Sequence, residues 1–180
     1  SLATLSDGSE IANPVWVKQF QERVARANRK LSRKQPNSKN RARAREHLRR
    51  LHQRIAGRRR SYLHPITRAL VARYDLLAFE KLNIAALARS RLAKSILDAA
   101  WGEFIWQLTC KAEEAGKRAV AVNPRGTTQL CSGCGEKVPK QLSERTHQCP
   151  SCGLILGRDH NSARNILRLG ESLVEVPAKC

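Results

Sequence analysis

Four cysteines are spaced so that they can share one metal ion. Cys131 and Cys134 form one Cys-x-x-Cys pair, and Cys149 and Cys152 form a second. A two-residue gap lets both sulfurs of a pair face the same ion, so two pairs supply the four soft ligands of a tetrahedral Zn2+. Fourteen residues separate Cys134 from Cys149, just under the usual window for such ribbons. Gly135 and Gly153 follow the second cysteine of each pair, and each is expected to take the left-handed turn that closes a knuckle. The competing arrangement is a pair of disulfides. A basic chain with no secretory segment fits a reducing compartment, which favours metal. Four ligands would fill the site, so this ion is expected to be structural. His147 lies between the knuckles and is expected to be a solvated loop residue rather than a ligand. Cys110 is expected in a helical core, and Cys180 is uninformative.

Two carboxylates stand apart from that cluster. Glu80 ends the short apolar run Leu76–Phe79, which reads as a buried strand, and sites gather at the C-terminal ends of such strands in open α/β sheets. Asp159 opens an amphipathic helix seven residues after Cys152. A negative charge there is favoured by the helix dipole, so simple capping is one reading of Asp159. A carboxylate beside an apolar strand needs a partner or a cation. In a strongly basic chain the pair suggests Mg2+ or Mn2+ at a phosphodiester, where two ions ~4 Å apart activate water and stabilise the leaving oxygen. Residue types alone leave both readings open.

The charge balance names the class of partner. The 180 residues carry 34 Lys/Arg against 15 Asp/Glu, a formal net charge of +19. Such an excess points to a polyanion, with nucleic acid ahead of an anionic membrane surface. Half of the basic residues, 17, lie between Lys18 and Arg60, with only Glu22 and Glu46 against them. Solvated helices usually mix signs, so a one-sign helical pair makes sense beside phosphates. Arg41, Arg43, Arg45, Arg49, Arg50, Arg58, Arg59 and Arg60 are the candidate contacts. They would hold the backbone without reading sequence, and binding would weaken steeply with salt. No apolar run approaches the ~18 residues of a spanning helix, so no membrane partner is expected.

These residues must be carried by a definite set of elements. Leu2–Leu5, the Asp7-Gly8 turn and Ser9–Ile11 read as a hairpin. Asn13-Pro14 starts a helix expected to end near Lys34. Ser38 caps a longer one with an apolar face of Ala44, Leu48, Leu51, Ile55, Tyr62, Ile66 and Leu70. Pro65 should bend this helix without dividing it. The short linker makes the two helices antiparallel neighbours. Ser95 and Asp98 form a capping box for a third helix, with Ile96, Ala100, Phe104, Leu108 and Ala112 inward and Gly116 as its stop. Arg118–Val122 is a second buried strand. The last helix runs from Asp159 to Leu169, where Gly170 stops it, and a loose tail follows from Glu171. Alternation of strands and helices gives an α/β layer fold.

Taken together and in order, SLATLSDG, the basic helical pair, FEKLN, DAAWGEF and LCSGCG…CPSCG…RDHNSARNIL resemble the TnpB (OrfB) family of transposon-encoded proteins. The resemblance covers nearly the whole chain, to about Gly170. It implies an RNase H-like (RuvC) fold with a long basic helical hairpin and an inserted four-cysteine zinc ribbon. The expected division is 1–128 for the RuvC-like nuclease domain, with the basic pair at 13–73. The zinc ribbon takes 129–156, the last RuvC helix 157–170, and the loose tail 171–180. The resemblance also implies an RNA-guided DNA endonuclease of bacterial or archaeal insertion sequences, often labelled a transposase. Its partners would be DNA and a guide RNA, and its place the cytoplasm, at the nucleoid. Glu80 and Asp159 match the family's second and third catalytic carboxylates. The first lies on a strand just upstream of the segment matched by SLATLSDG. Asp7 belongs to a turn and does not replace it. The chain also lacks Met, so the natural start is expected upstream. The polypeptide as given is expected to bind nucleic acid and zinc without cutting by itself. The alternatives are a truncated nucleic-acid-binding module and, more remotely, a zinc-ribbon protein of the ribosomal or transcription type.

Overall fold

The computed structural model describes residues 1–13, 16–82, 101–141 and 143–175. The chain opens with a small hairpin, β1 (Ala3–Thr4) and β2 (Glu10–Ile11), antiparallel with Ala3 opposite Ile11. Asp7 holds the turn by accepting from the backbone N–H and the hydroxyl of Ser9, at 2.9 and 2.6 Å. These bonds, chiefly, hold its carboxyl down at about 2. It is a turn residue, as its place in the sequence implied.

Helix α1 (Trp16–Ser32) and helix α2 (Lys39–Arg73) follow. Pro14, assigned above to the start of α1, lies outside the described residues. Ser38 caps α2, its hydroxyl accepting from the N–H of Arg41 at 3.1 Å. The two helices run antiparallel. The Arg41 guanidinium donates to the Lys34 and Leu31 carbonyls near the turn, and Arg58 lies over the ring of Phe20 near the far end. Helix α2 passes through Pro65 as one element of 35 residues. Its inward face is centred differently from the expectation. Leu63, Thr67, Leu70 and Val71 are buried beside Ala44, Leu51 and Ile55, whereas Tyr62 and Ile66 flank the core half-buried. Thr67 passed as polar in the sequence because its hydroxyl finds acceptors inside, at the Leu63 and His64 carbonyls of its own helix.

Strand β3 (Leu76–Glu80), helix α3 (Trp101–Glu114) and strand β4 (Arg118–Val122) form a parallel crossover unit, with Glu80 opposite Val122. Ser95, Ile96, Asp98 and Ala100 lie outside the described residues. Phe104, Leu108 and Ala112 of α3 pack with Leu2 and with Leu63, Leu70 and Val71 of α2 into the main core. Gly116, at φ +64°, ends the turn after α3. Cys110, expected in that core, is half-buried. Both strands were expected to be buried, but β3 is half-buried throughout and β4 is sealed only at Val122. The reason is that the described strands pair as three separate two-stranded sheets, so β3 keeps one open edge.

The third sheet is β5 (Thr146–Gln148) with β6 (Ile155–Gly157), which flank the second cysteine pair and lead into the last helix, α4 (Arg158–Glu175). Two expectations are corrected here. Gly170 does not stop α4, and residues 171–175 are helical rather than a loose tail. A Cβ at Gly170 would lie 2.5 Å from the Ala78 Cβ. A side chain at this glycine would have no room against β3.

Candidate functional site

The cysteine cluster forms as its spacing requires. All four sulfurs lie within 4.8 Å of one another. Cys131–Cys152 and Cys134–Cys149 are each 3.6 Å apart, close to the ~3.8 Å edge of a tetrahedron built on Zn–S bonds of ~2.3 Å. Gly135 and Gly153 take φ of +80° and +74°, and their N–H groups close the knuckles onto the Cys131 and Cys149 carbonyls. The described cysteines are all free of disulfides. N–H groups of Cys152 and Ser151 bring the Cys149 thiol down to about 6. The N–H of Glu136 also favours a Cys134 thiolate, yet burial and the neighbouring sulfurs push Cys134 up to about 12. Four thiols so close cannot all ionise without a cation, and the donor set fits a soft divalent ion.

His147 is not the solvated loop residue expected from its polar surroundings. It is fully buried at the middle of β5, with its Nδ1 against the Lys140 ammonium. Burial first, and then the Lys140 charge, hold its imidazole below the ordinary range. It fills the space under the knuckles and is not one of the clustered ligands.

Glu80 and Asp159 come together from 79 residues apart. Glu80 is the last residue of β3, and Asp159 sits in the first turn of α4. Both face one cleft of about 470 Å3. Its walls are Leu2–Ser6 around β1 on one side and Leu76–Glu80 on the other, with Ala163, Ile166 and Phe104 below. Burial, and then the Asp159 charge, push the Glu80 carboxyl up. Among the described residues the Glu80 side chain has no recorded hydrogen bond or ion pair. Among the described residues Asp159 is met by its neighbour Arg158, at 3.3 Å. A half-buried carboxylate facing a second one, with no compensating donor among the described residues, suits a hard divalent cation.

Residues that sequence reasoning passed over hold this site in place. Asn161, Ser162 and Asn165 are buried on the inward side of α4. Asn161 accepts from the Ser132 N–H and donates to the Leu130 carbonyl. Asn165 donates to the Thr127 and Leu130 carbonyls, and Ser162 donates to the Thr127 hydroxyl at 3.0 Å. Their spacing, two, three and six residues beyond Asp159, is the available signal: polar residues recurring on the face that also carries Ile166. His160 Nε2 adds a contact to the Ser6 carbonyl at 3.0 Å, tying the start of α4 to the β1–β2 turn.

The eight arginines proposed for phosphate contact differ in their surroundings. Arg41 closes the α1–α2 turn. Arg49 and Arg50 both hold Glu46, and together they draw its carboxyl down to about 2. Arg58 stacks on Phe20, and Arg60 meets Glu103 at 3.4 Å. Arg59 is half-buried, while Arg43 and Arg45 stand exposed.

These features define a basic α/β protein with a four-thiol cluster able to hold a metal ion and a separate two-carboxylate cleft. Residues 1–91 match the family model OrfB_IS605, described as "Probable transposase", and residues 101–166 match "Cas12f1-like, TNB domain". The chain belongs to the TnpB (OrfB) family. It is 38% identical over 175 residues to a Streptomyces pristinaespiralis protein named "Putative RNA-guided DNA endonuclease", covering 94% of this chain and 43% of that one. It is 34% identical over 190 residues to "Putative RNA-guided DNA endonuclease InsQ" of Escherichia coli (strain K12), covering 96% and 47%. The chain thus spans somewhat under half the length of these curated relatives. A solved chain titled "Cryo-EM structure of the Cas12f1-sgRNA-target DNA complex" shares the fold over 83% of this chain and 41% of its own, with a TM-score of 0.55 and 17% identity. Among the described residues no helix is long and apolar enough to cross a membrane.

Proposed function

We propose that this chain carries the catalytic portion of a transposon-encoded, RNA-guided DNA endonuclease, with an RNase H-like core that hydrolyses phosphodiesters. The observation that supports this reading best is the convergence of Glu80 and Asp159 on one cleft, close enough for one charge to raise the other's pKa. The two carboxylates would hold Mg2+ or Mn2+, which supplies charge neutralisation and an activated water at a phosphodiester. The chain's own part is to place them. Strand β3 fixes Glu80, the buried asparagines of α4 fix Asp159, and the apolar wall limits water around Glu80. The four cysteines would hold a structural Zn2+, and DNA and a guide RNA would be the partners.

The cleft also supports the core assignment. Strands β1 and β3 flank it, and no backbone hydrogen bond among those described joins them. An extended strand seated between them could pair with both and merge the two sheets, and the resemblance puts the first carboxylate on a strand upstream of SLATLSDG. The test is DNA cleavage by the full genomic reading frame, with guide RNA and Mg2+ or Mn2+. Cutting should be lost in Glu80→Ala and in Asp159→Ala while folding and DNA binding persist. Cutting by both variants would remove the assigned site. A second reading is a nucleic-acid-binding module that does not cut, favoured by the finding that the described lining of the cleft offers only these two carboxylates. Steep salt-sensitive binding with no metal-dependent nicking would select it.

A further inference from the structure

A protein of this function needs a surface that grips a phosphodiester backbone, and the structure offers one on α1 rather than on the arginines of α2 considered first. Arg26, Arg29, Lys30, Arg33 and Lys34 recur at steps of three, four, seven and eight, which places them on one side of the helix and of the turn that continues it. Among the described residues these five line a cleft of about 350 Å3. None of their side chains has a recorded ion pair among the described residues. Their spacing sets Arg26 against Lys30, Arg29 against Arg33, and Lys30 against Lys34, all like-charged at i,i+4, an arrangement that destabilises an isolated helix. The opposite side of α1 is already occupied. Phe20 and Ala27 are buried, and Arg58 of α2 covers the Phe20 ring at 5.0 Å. A bilayer would need that apolar side, so the exposed side is left with charge alone.

We propose that this face of α1 is the seat of a nucleic-acid duplex, with the five side chains on phosphates of its backbone. This rests on the nucleic-acid reading above and names where the contact is made. Counted at ~1.5 Å per residue through the end of α1 and the turn beyond it, the five cations extend over about 12 Å. A single strand presents one phosphate per ~3.4 Å, whereas a duplex presents one per ~1.7 Å of axis with both strands counted, and its two backbones flank a groove, so it is the denser array of charge for five clustered cations. The duplex is the polymer that satisfies the whole face.

The test uses the 180-residue chain and a labelled mixed-sequence DNA duplex of about 20 base pairs, with affinity followed from about 50 to 200 mM salt. Replacing Arg26, Arg29, Lys30, Arg33 and Lys34 together by Gln should make the slope of log affinity against log salt shallower by about 3–4 and cost at least ~100-fold in affinity at ~100 mM salt. Replacing Arg43, Arg45, Arg49 and Arg50 together by Gln should cost less than ~10-fold. A readout on the unaltered chain guards against a misfolded variant: the bound duplex should protect Lys30 and Lys34 from acetylation by an N-hydroxysuccinimide ester. An unchanged slope in the α1 variant, unprotected lysines, or tighter binding of the matching single strand would each overturn the proposal while leaving nucleic-acid binding intact. Preference for phosphatidylserine vesicles over the duplex would overturn it in favour of a membrane surface. Failure of the unaltered chain to bind any nucleic acid would remove the functional reading itself.

Discussion

Asn161 accepts the backbone N–H of Ser132 at 2.9 Å and donates to the Leu130 carbonyl at 2.8 Å. Ser132 lies inside the first cysteine knuckle, and Asn161 is two residues from Asp159. One side chain therefore fixes the thiol cluster against the helix that carries a candidate catalytic carboxylate. Asn161→Ala would leave the Ser132 N–H without its partner, at a cost of about 1–3 kcal/mol. Urea unfolding should show that loss, and chelator-driven metal release should accelerate. Unchanged stability and unchanged release would mean that the two parts are not coupled through this residue.

Glu80 sets a pH dependence with a definite sign. Its carboxyl titrates above the ordinary value of 4.5, first through burial and then through the Asp159 charge. The fold thus favours protonated Glu80. That contribution is fully present below the unfolded value and disappears as pH rises through the raised folded value. Glu80→Gln should raise the melting temperature of the metal-free chain at neutral pH and leave it nearly unchanged at pH ~4, below the ordinary glutamate value. Loss of a group one step removed from a metal costs about 10–100-fold in affinity. Loss of a direct ligand should cost at least ~10-fold in Mn2+ binding by calorimetry. A variant that binds Mn2+ as well as the parent would take Glu80 out of the metal site.

The thiol cluster predicts one Zn2+ per chain by elemental analysis, falling well below one in Cys149→Ser. Because β5 and β6 make few contacts outside the cluster and α4, a chelator at pH ~7 should melt them first. The core around Leu63 and Phe104 should unfold separately at higher temperature. Sensitivity to reductant in place of chelator would point to disulfides.

Gly170 predicts a compensating pair. Gly170→Ala puts a methyl group 2.5 Å from the Ala78 Cβ, an overpacking worth about 1–3 kcal/mol. Ala78→Gly in the same chain should recover most of it, measured as a double-mutant cycle in urea. Simple additivity of the two losses would show that α4 and β3 do not meet there.

Much of the site could be read from the sequence because its determinants are local. The turn after each knuckle depends on a glycine next to a cysteine, and both glycines take the left-handed conformation. The cap at Ser38 depends on a hydroxyl three residues from an N–H, and it forms. The end of β3 at Glu80 follows from a short apolar run closed by a charge. What was missed depends on neighbours far along the chain. Gly170 looked like a helix stop, because nothing near it in sequence reveals Ala78 on another strand. His147 looked solvated, because the elements that bury it come together only in the folded ribbon. Tyr62 and Ile66 matched the helical period as well as Leu63 and Thr67 do. Which pair turned inward was decided by the position of α3, against which Thr67 and Gln107 also hydrogen-bond.

The sequence by itself determined the types of chemistry available. Four thiols at paired spacing, two carboxylates at the ends of regular elements, and a one-sign basic hairpin follow from composition and periodicity, which are properties of the chain before it folds. Only the tertiary structure decided which groups meet. It brought Glu80 to Asp159 across 79 residues, and it spent Arg41, Arg49, Arg50 and Arg60 on contacts within the protein. Arg26, Arg29, Lys30, Arg33 and Lys34 were left facing outward together. The physical reason is that a side chain's solvation and electrostatic partners depend on distances in space, and those are set by packing of elements whose separation along the chain carries no distance at all.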